Sequence, residues 1–154
     1  MGKSGDDITA LMLEAPQFNT LSQAELEILG KHIFRKNVSE NTVLCEEGSS
    51  GDSLFYVVTG KIEIRKESID GRQTVLARFN KGASVGEMSL IEHSPRSATA
   101  TAIEDSELLI LTRKSFDELI ESEPLIGIKI LKNIAKSLST RLRYTSGRFA
   151  DVFK

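Results

Sequence analysis

Three features of this 154-residue sequence predict a mainly β fold, an antiparallel β-roll or jelly roll with an N-terminal helix and two C-terminal helices. Residues 38–113 divide into about eight short apolar stretches with turn residues between them, too brief for helices and suited to a roll. Asp70-Gly71 joins two of those stretches as a tight hairpin would. Helix-capping signals, each followed by apolar residues at helical spacing, lie on either side of this middle region.

Length and composition set the frame. Hydrophobic residues at 40% and charged residues at 27% are ordinary for a globular chain, and the length suits one domain with a real core. Residues 1–154 therefore read as one unit: a helical start at 1–37, the roll at 38–113, C-terminal helices at 114–146 and a tail at 147–154. A net charge of −2 gives no overall drive toward nucleic acid. The single cysteine, Cys45, excludes an internal disulfide framework and suits a reducing compartment; its apolar neighbourhood reads as a small buried hydrophobe. Residues 1–7 are polar and acidic with no signal-type apolar segment, and no apolar run approaches the ~20 residues that span a bilayer. The expectation is a cytoplasmic protein without a membrane span.

In chain order, a polar start leads to an apolar patch (Ile8, Leu11, Met12, Leu13) interrupted by Pro16. Ser22 and Glu25 form a capping box for a helix carrying Leu26, Ile28, Leu29 and Ile33, with Leu21 placed as its hydrophobic staple. From Val38 the period shortens. Thr42–Cys45 reads as a strand, residues 46–52 as a polar turn, and Ser53–Thr59 as a strand too apolar to have a wet face. Lys61-Ile62-Glu63-Ile64-Arg65 alternates, which predicts one buried and one solvated face. Gln73–Phe79 returns from the hairpin, and Asn80-Lys81-Gly82 makes another turn. After residue 96, Ser97–Ile103 alternates Ala with Ser/Thr, and Leu108–Leu111 is a last apolar strand. Ser115 and Glu118 form a second capping box, and Pro124 opens a helix through about Tyr144 with Leu131, Ile134, Leu138 and Leu142 on one stripe. That stripe either packs on its own roll or forms a two-chain seam.

The stretch richest in chemistry is Gly86-Glu87-Met88-Ser89-Leu90-Ile91-Glu92-His93-Ser94-Pro95-Arg96-Ser97-Ala98-Thr99. Gly86 permits a tight turn or close backbone approach. Glu87–Ile91 is long enough for one helical turn, whose free amides suit an anion. Pro95 ends the loop and delivers Arg96, whose planar fork can bond two phosphate oxygens. Glu87 cannot hold phosphate, but its carboxylate accepts hydrogen bonds from a sugar hydroxyl.

This ordered set, G-E-x-x-L followed by P-R-S-A-T, resembles the phosphate-binding cassette of the cyclic nucleotide-binding domain family. Glu47-Gly48, Gly51-Asp52, Tyr56 and Gly60 also resemble that family's signature in the preceding strands, while Ser39-Glu40-Asn41 departs from its usual Gly-Glu. The resemblance implies a cupin-like double-stranded roll. It also implies that the backbone of Gly86, Glu87, Met88 and Ser89, with Arg96 and Ser97, holds the cyclic phosphate, and that Glu87 binds the ribose 2′-OH. For the base it implies Ala77 and Phe79, which share a strand face and serve equally as plain core. A cap from the terminal helix is implied too, at Arg141, Thr145 or Ser146, since Arg141-Leu142-Arg143-Tyr144-Thr145-Ser146 resembles the R-L-x-x-T-S helix of bacterial catabolite activators.

The expected function is a cyclic nucleotide sensor, with cAMP favoured over cGMP on the terminal helix, that repositions its C-terminal helix on binding. The alternatives are a ligand-free protein-interaction module of the same fold, or the sensor half of a transcription regulator, kinase or channel. Partners would be the nucleotide, a second copy through the C-terminal helix, and a downstream protein or a missing effector domain. An enzyme is not expected: His32 and His93 lie outside any metal-ligand spacing, and no P-loop or Ser/His/Asp set is present. No metal or cofactor is implied. Direct nucleic-acid binding is not expected, because Lys132, Lys136, Arg141, Arg143 and Arg148 read as a solvated helix face and residues 147–154 are too few for a helix-turn-helix.

Overall fold

The computed structural model describes residues 3–152, with side chains described over 8–147. Of the tail expected at 147–154, Phe153 and Lys154 lie outside the described residues, as do Met1 and Gly2 of the polar start and the side chain of Arg148. Helices α1 (Lys3–Leu13) and α2 (Gln23–Gly30) precede strands β1 (Phe34–Val38), β2 (Val43–Cys45), β3 (Ser53–Thr59), β4 (Ile62–Glu67), β5 (Gln73–Phe79) and β6 (Ser84–Val85). A single 3-10 turn, Glu87–Leu90, follows; then come β7 (Thr99–Ala102), β8 (Ser106–Thr112), α3 (Arg113–Ser122) and α4 (Pro124–Val152).

The strands form two four-stranded sheets, ordered β1-β8-β3-β6 and β2-β7-β4-β5, and every pairing is antiparallel. β3 explains why the roll has helices on one side. Phe55 and Val57 face the other sheet, in a cluster with Ile62, Ala100, Ala102, Leu108 and Ile110. Leu54, Tyr56 and Val58 face the opposite way, into a second cluster with residues of α1, α2, α3 and α4. β8 alternates likewise, with Leu109 and Leu111 on the helix side. A strand buried on both faces has no wet side to mark with polar residues, as its sequence predicts.

Several local expectations need correction. The roll begins at Phe34, inside the stretch read as helical; Arg35, Lys36 and Asn37 hide the strand, which is held by full pairing with β8 and an Arg35–Glu107 ion pair. β4 does not alternate cleanly, because Glu63 is buried between the guanidiniums of Arg65 and Arg78. Cys45 is half-buried, packed against the core between the sheets and not enclosed in it. Thr112, not Ser115, caps α3: its hydroxyl accepts from the Ser115 amide. The Ser22–Glu25 capping box of α2 is present in both directions.

α4 differs most. Its inward stripe is Ile126, Ile130 and Ile134, joined by buried Asn133, whereas Leu131 and Leu138 are only half-buried and Leu142 is 67% exposed. It also runs past the expected end at residue 146. One glycine, Gly147, costs a helix only about 1 kcal/mol relative to alanine, too little to stop it. The departure at Ser39-Glu40-Asn41 is absorbed by Asn41, which adopts φ 72 and donates its amide to Ala102.

Candidate functional site

The site is built where the two sheets open beside β6. β6 pairs with β3 through Phe55↔Val85 and Tyr56↔Ser84, and the chain then reverses at Gly86, whose φ of 86° and ψ of 26° are left-handed. The 3-10 turn starts there, so the amides of Glu87 and Met88 have no acceptor within it. Leu90 anchors the turn in the helix-side core. The loop after it is pinned to the β2–β3 turn: Ser50 bridges to Pro95, Arg96 donates its amide to Ser49 (2.7 Å), and Gly48 donates to the Arg96 carbonyl (2.8 Å). Arg113, at the start of α3, donates through Nη1 to the carbonyls of Gly51 (2.7 Å) and Ser89 (3.2 Å), so one guanidinium ties the turn to the loop opposite.

These constraints place Arg96 in a cavity of about 470 Å³. Its Nη2 donates to the Ser53 carbonyl at 2.7 Å, and its guanidinium stands 5.6 Å from the Phe55 ring centroid. Its Nε is buried without a hydrogen-bond partner, and among the described residues no carboxylate pairs with it. Two glycines make room for this side chain. A Cβ on Gly86 would come within 2.5 Å of Arg96 Nη1 and 2.7 Å of the Ser53 carbonyl; one on Gly51 would meet Ser89 Oγ at 2.8 Å and Arg96 Nε at 3.1 Å. Gly51 is thus needed for clearance beside the site and not only for a corner.

Glu87 lines the cavity too, with Glu92 and Arg141, and is 3% exposed. Its Oε2 accepts from Gln17 Nε2 at 2.8 Å. Its Oε1 lies 2.7 Å from Arg141 Nη2 of α4, yet off the hydrogen-bonding direction, so it receives no hydrogen bond. Glu87 Oε1 and Arg96 Nε are the two buried side-chain polar atoms lacking a hydrogen bond among the described residues. One is an acceptor and the other a donor, and their side chains line the same cavity. Glu87 Oε1 still has the Arg141 charge beside it, so Arg96 Nε is the atom of the two with neither a hydrogen bond nor an ion pair.

Of the residues singled out from sequence, Gly86, Glu87, Met88, Ser89, Arg96 and Ser97 all line the cavity, as do Ala77 and Phe79 from β5 and Arg141 from α4. Thr145 and Ser146 do not; they sit on the exposed part of α4 beyond the cavity. Cys45, Gln17 and Arg113 were not marked by any motif. Cys45 lines the cavity with Ile64 and Ala100. Gln17 and Arg113 act through contacts 70 and 24 to 62 residues away in sequence, which no local pattern encodes. His93 is exposed.

A double-sheeted roll with a guanidinium and a carboxylate at the mouth of one cavity defines a β-roll ligand-binding domain. The chain belongs to the cyclic nucleotide-binding domain family, whose model matches residues 35–123. It is 33% identical over 132 residues to the cyclic AMP receptor protein of Thermus thermophilus, covering 86% of this chain and 59% of that protein. It therefore spans about three fifths of that relative's length. A cyclic nucleotide-binding domain from Methylobacillus flagellatus superimposes with a TM-score of 0.82 at 26% identity, covering 94% of this chain and 84% of that one. A solved PfPKA-R with cAMP bound superimposes with a TM-score of 0.67 at 33% identity, covering 77% and 42%. No helix among the described residues is long and apolar enough to cross a membrane.

Proposed function

We propose that residues 1–154 act as a single non-enzymatic cytoplasmic sensor domain whose ligand is cyclic AMP. The observation that carries this reading is Arg96, a guanidinium lining a cavity with a buried Nε that lacks a hydrogen-bond partner and with no ion pair to a carboxylate among the described residues. A cyclic phosphate supplies the missing charge, with the amides that start the Glu87 turn and Ser97 sharing its oxygens. Glu87 Oε1 takes the ribose 2′-OH. Ala77 and Phe79 floor the base, and Arg141 approaches it from α4. Preference for adenine rests on what the Thermus relative is named for and what PfPKA-R holds, since Thr145 and Ser146 lie outside the cavity.

Coupling to α4 follows from Glu87. A hydroxyl arriving at Oε1 competes with Arg141 for that oxygen, so ligand shifts α4 by as much as its differential affinity allows. Residues 139–147 of α4 are exposed, with Leu142 and Tyr144 each 67% accessible, and a second copy of the chain is the proposed occupant of that face. Sedimentation equilibrium should show concentration-dependent dimers that Leu142→Glu abolishes; a wild-type monomer at high micromolar concentration would contradict this. A downstream protein or effector domain then reads the helix.

Isothermal calorimetry with cyclic AMP, cyclic GMP and linear 5′-AMP tests the reading. Cyclic AMP should bind with micromolar or better affinity, cyclic GMP more weakly and 5′-AMP not at all. Absence of binding by both cyclic nucleotides would overturn it.

A further inference from the structure

A second cleft, which shares Ser84, Glu87 and Arg141 with the first cavity, lies between the α1–α2 loop, the residues leading into β6, and α4. Gln17 lines this cleft and not the first cavity, is 2% exposed, and bonds to Glu87. Its contacts are directional. A carboxylate only accepts hydrogen bonds, so the amide must present its NH2 end to Glu87, and Nε2 donates to Oε2 at 2.8 Å. The other end is held in that sense by Ser84, whose hydroxyl donates to Gln17 Oε1 at 2.9 Å. The Gln17 carbonyl accepts from Asn133 Nδ2 at 3.0 Å, and Asn133 also donates to Thr20 at 2.8 Å, so α4 holds the backbone that carries this side chain.

The consequence for Glu87 is geometric. Oε2 is held by Gln17, so Oε1, which receives no hydrogen bond and lies 2.7 Å from Arg141 Nη2, is the oxygen left to accept a ligand hydroxyl. We propose that Gln17 is a positioning residue that fixes the Glu87 carboxylate for reading the sugar 2′-hydroxyl, and that the selectivity of the site for a ribose ligand depends on it. This rests on the cyclic nucleotide reading given above and adds to it a residue that touches no ligand. Without Gln17 the Oε2 end is no longer held, the carboxylate is free to rotate about its contact with Arg141, and the hydroxyl loses a fixed acceptor.

The test is the ratio of affinities for cyclic AMP and its 2′-deoxy analogue, measured by calorimetry on the full chain. Wild type should favour the ribose ligand roughly 10- to 100-fold, the scale of one hydrogen bond to a charged group. In Gln17→Ala the ratio should fall by roughly 3- to 10-fold while binding of the deoxy analogue stays within about twofold. Ser84→Ala, which removes only the hydroxyl that orients the amide, should move the ratio the same way by a smaller factor. A purely structural role for Gln17 weakens both ligands equally and leaves the ratio intact, and that result overturns the proposal while the sensor reading stands. Should Gln17→Ala not fold, an unchanged ratio in Ser84→Ala overturns it instead. A wild-type chain that binds neither ligand overturns both.

Discussion

Arg96 and Glu63 are both charged side chains at the roll, and the fold treats them in opposite ways. Glu63 is buried between Arg65 and Arg78, and its carboxyl is held below its ordinary value of 4.5, chiefly by Arg78 and then by Arg65. A depressed value means that the stabilisation is present above the unfolded pKa and disappears as pH falls through the folded one. The melting temperature of Glu63→Gln should thus lie below wild type near neutral pH, with the gap closing below about pH 4.5. A gap that stays constant on acidification would mean the ion pairs contribute nothing. Among the described residues Arg96 has no such paired acid, and its sequence context marks it: an arginine just after Pro95, following Gly86-Glu87. Glu63 was misread because alternation along β4 reports which face a residue points to, not whether neighbouring arginines let a carboxylate stay there.

At the scale of elements, turns and caps decide where the functional groups end up. Gly86 should tolerate no side chain: left-handed backbone costs a non-glycine residue about 1–2 kcal/mol, and a Cβ there would strike Arg96 and the Ser53 carbonyl. Gly86→Ala is expected to abolish nucleotide binding by calorimetry while the circular-dichroism spectrum keeps its native shape; undiminished affinity would contradict the close approach of Arg96. For α3 the structure separates two capping candidates. Thr112→Ala should cost about 1 kcal/mol in urea unfolding, while Ser115→Ala should change stability by less than about 0.5 kcal/mol. The reverse order would restore the capping box at Ser115. The sequence made β3, β5, the hairpin and the Glu87 turn legible because each carries its own local signal: two-faced burial, Asp-Gly, or a glycine before a short helical turn. β1 and the stripe of α4 were not legible, since both are set by what they pack on. Phe34–Val38 is a strand because β8 offers a full edge, and Ile126, Ile130 and Ile134 face inward because the roll's helix side lies there.

Across the whole molecule, one chain of contacts links the cavity to both ends of the sequence. Glu87 meets Gln17 from the α1–α2 loop and Arg141 from α4; Asn133 ties that loop to α4 again, and Lys129 pairs with Glu25 of α2 at 2.8 Å. The helices are thus joined to each other and to the Glu87 carboxylate, while Arg96 stands apart on Ser53 and Phe55. On the proposed reading binding and coupling are separable, with Arg96 governing affinity and Glu87 with its partners governing what the helices sense. The central claim is that the Arg96 guanidinium is the phosphate receptor. It is tested most directly by titrating cyclic AMP into wild type and Arg96→Leu side by side in a calorimeter. The account predicts that the variant stays folded and binds roughly 30- to several-thousand-fold more weakly, the effect of removing one partner of a desolvated charged pair. Equal affinity in the two proteins would contradict it.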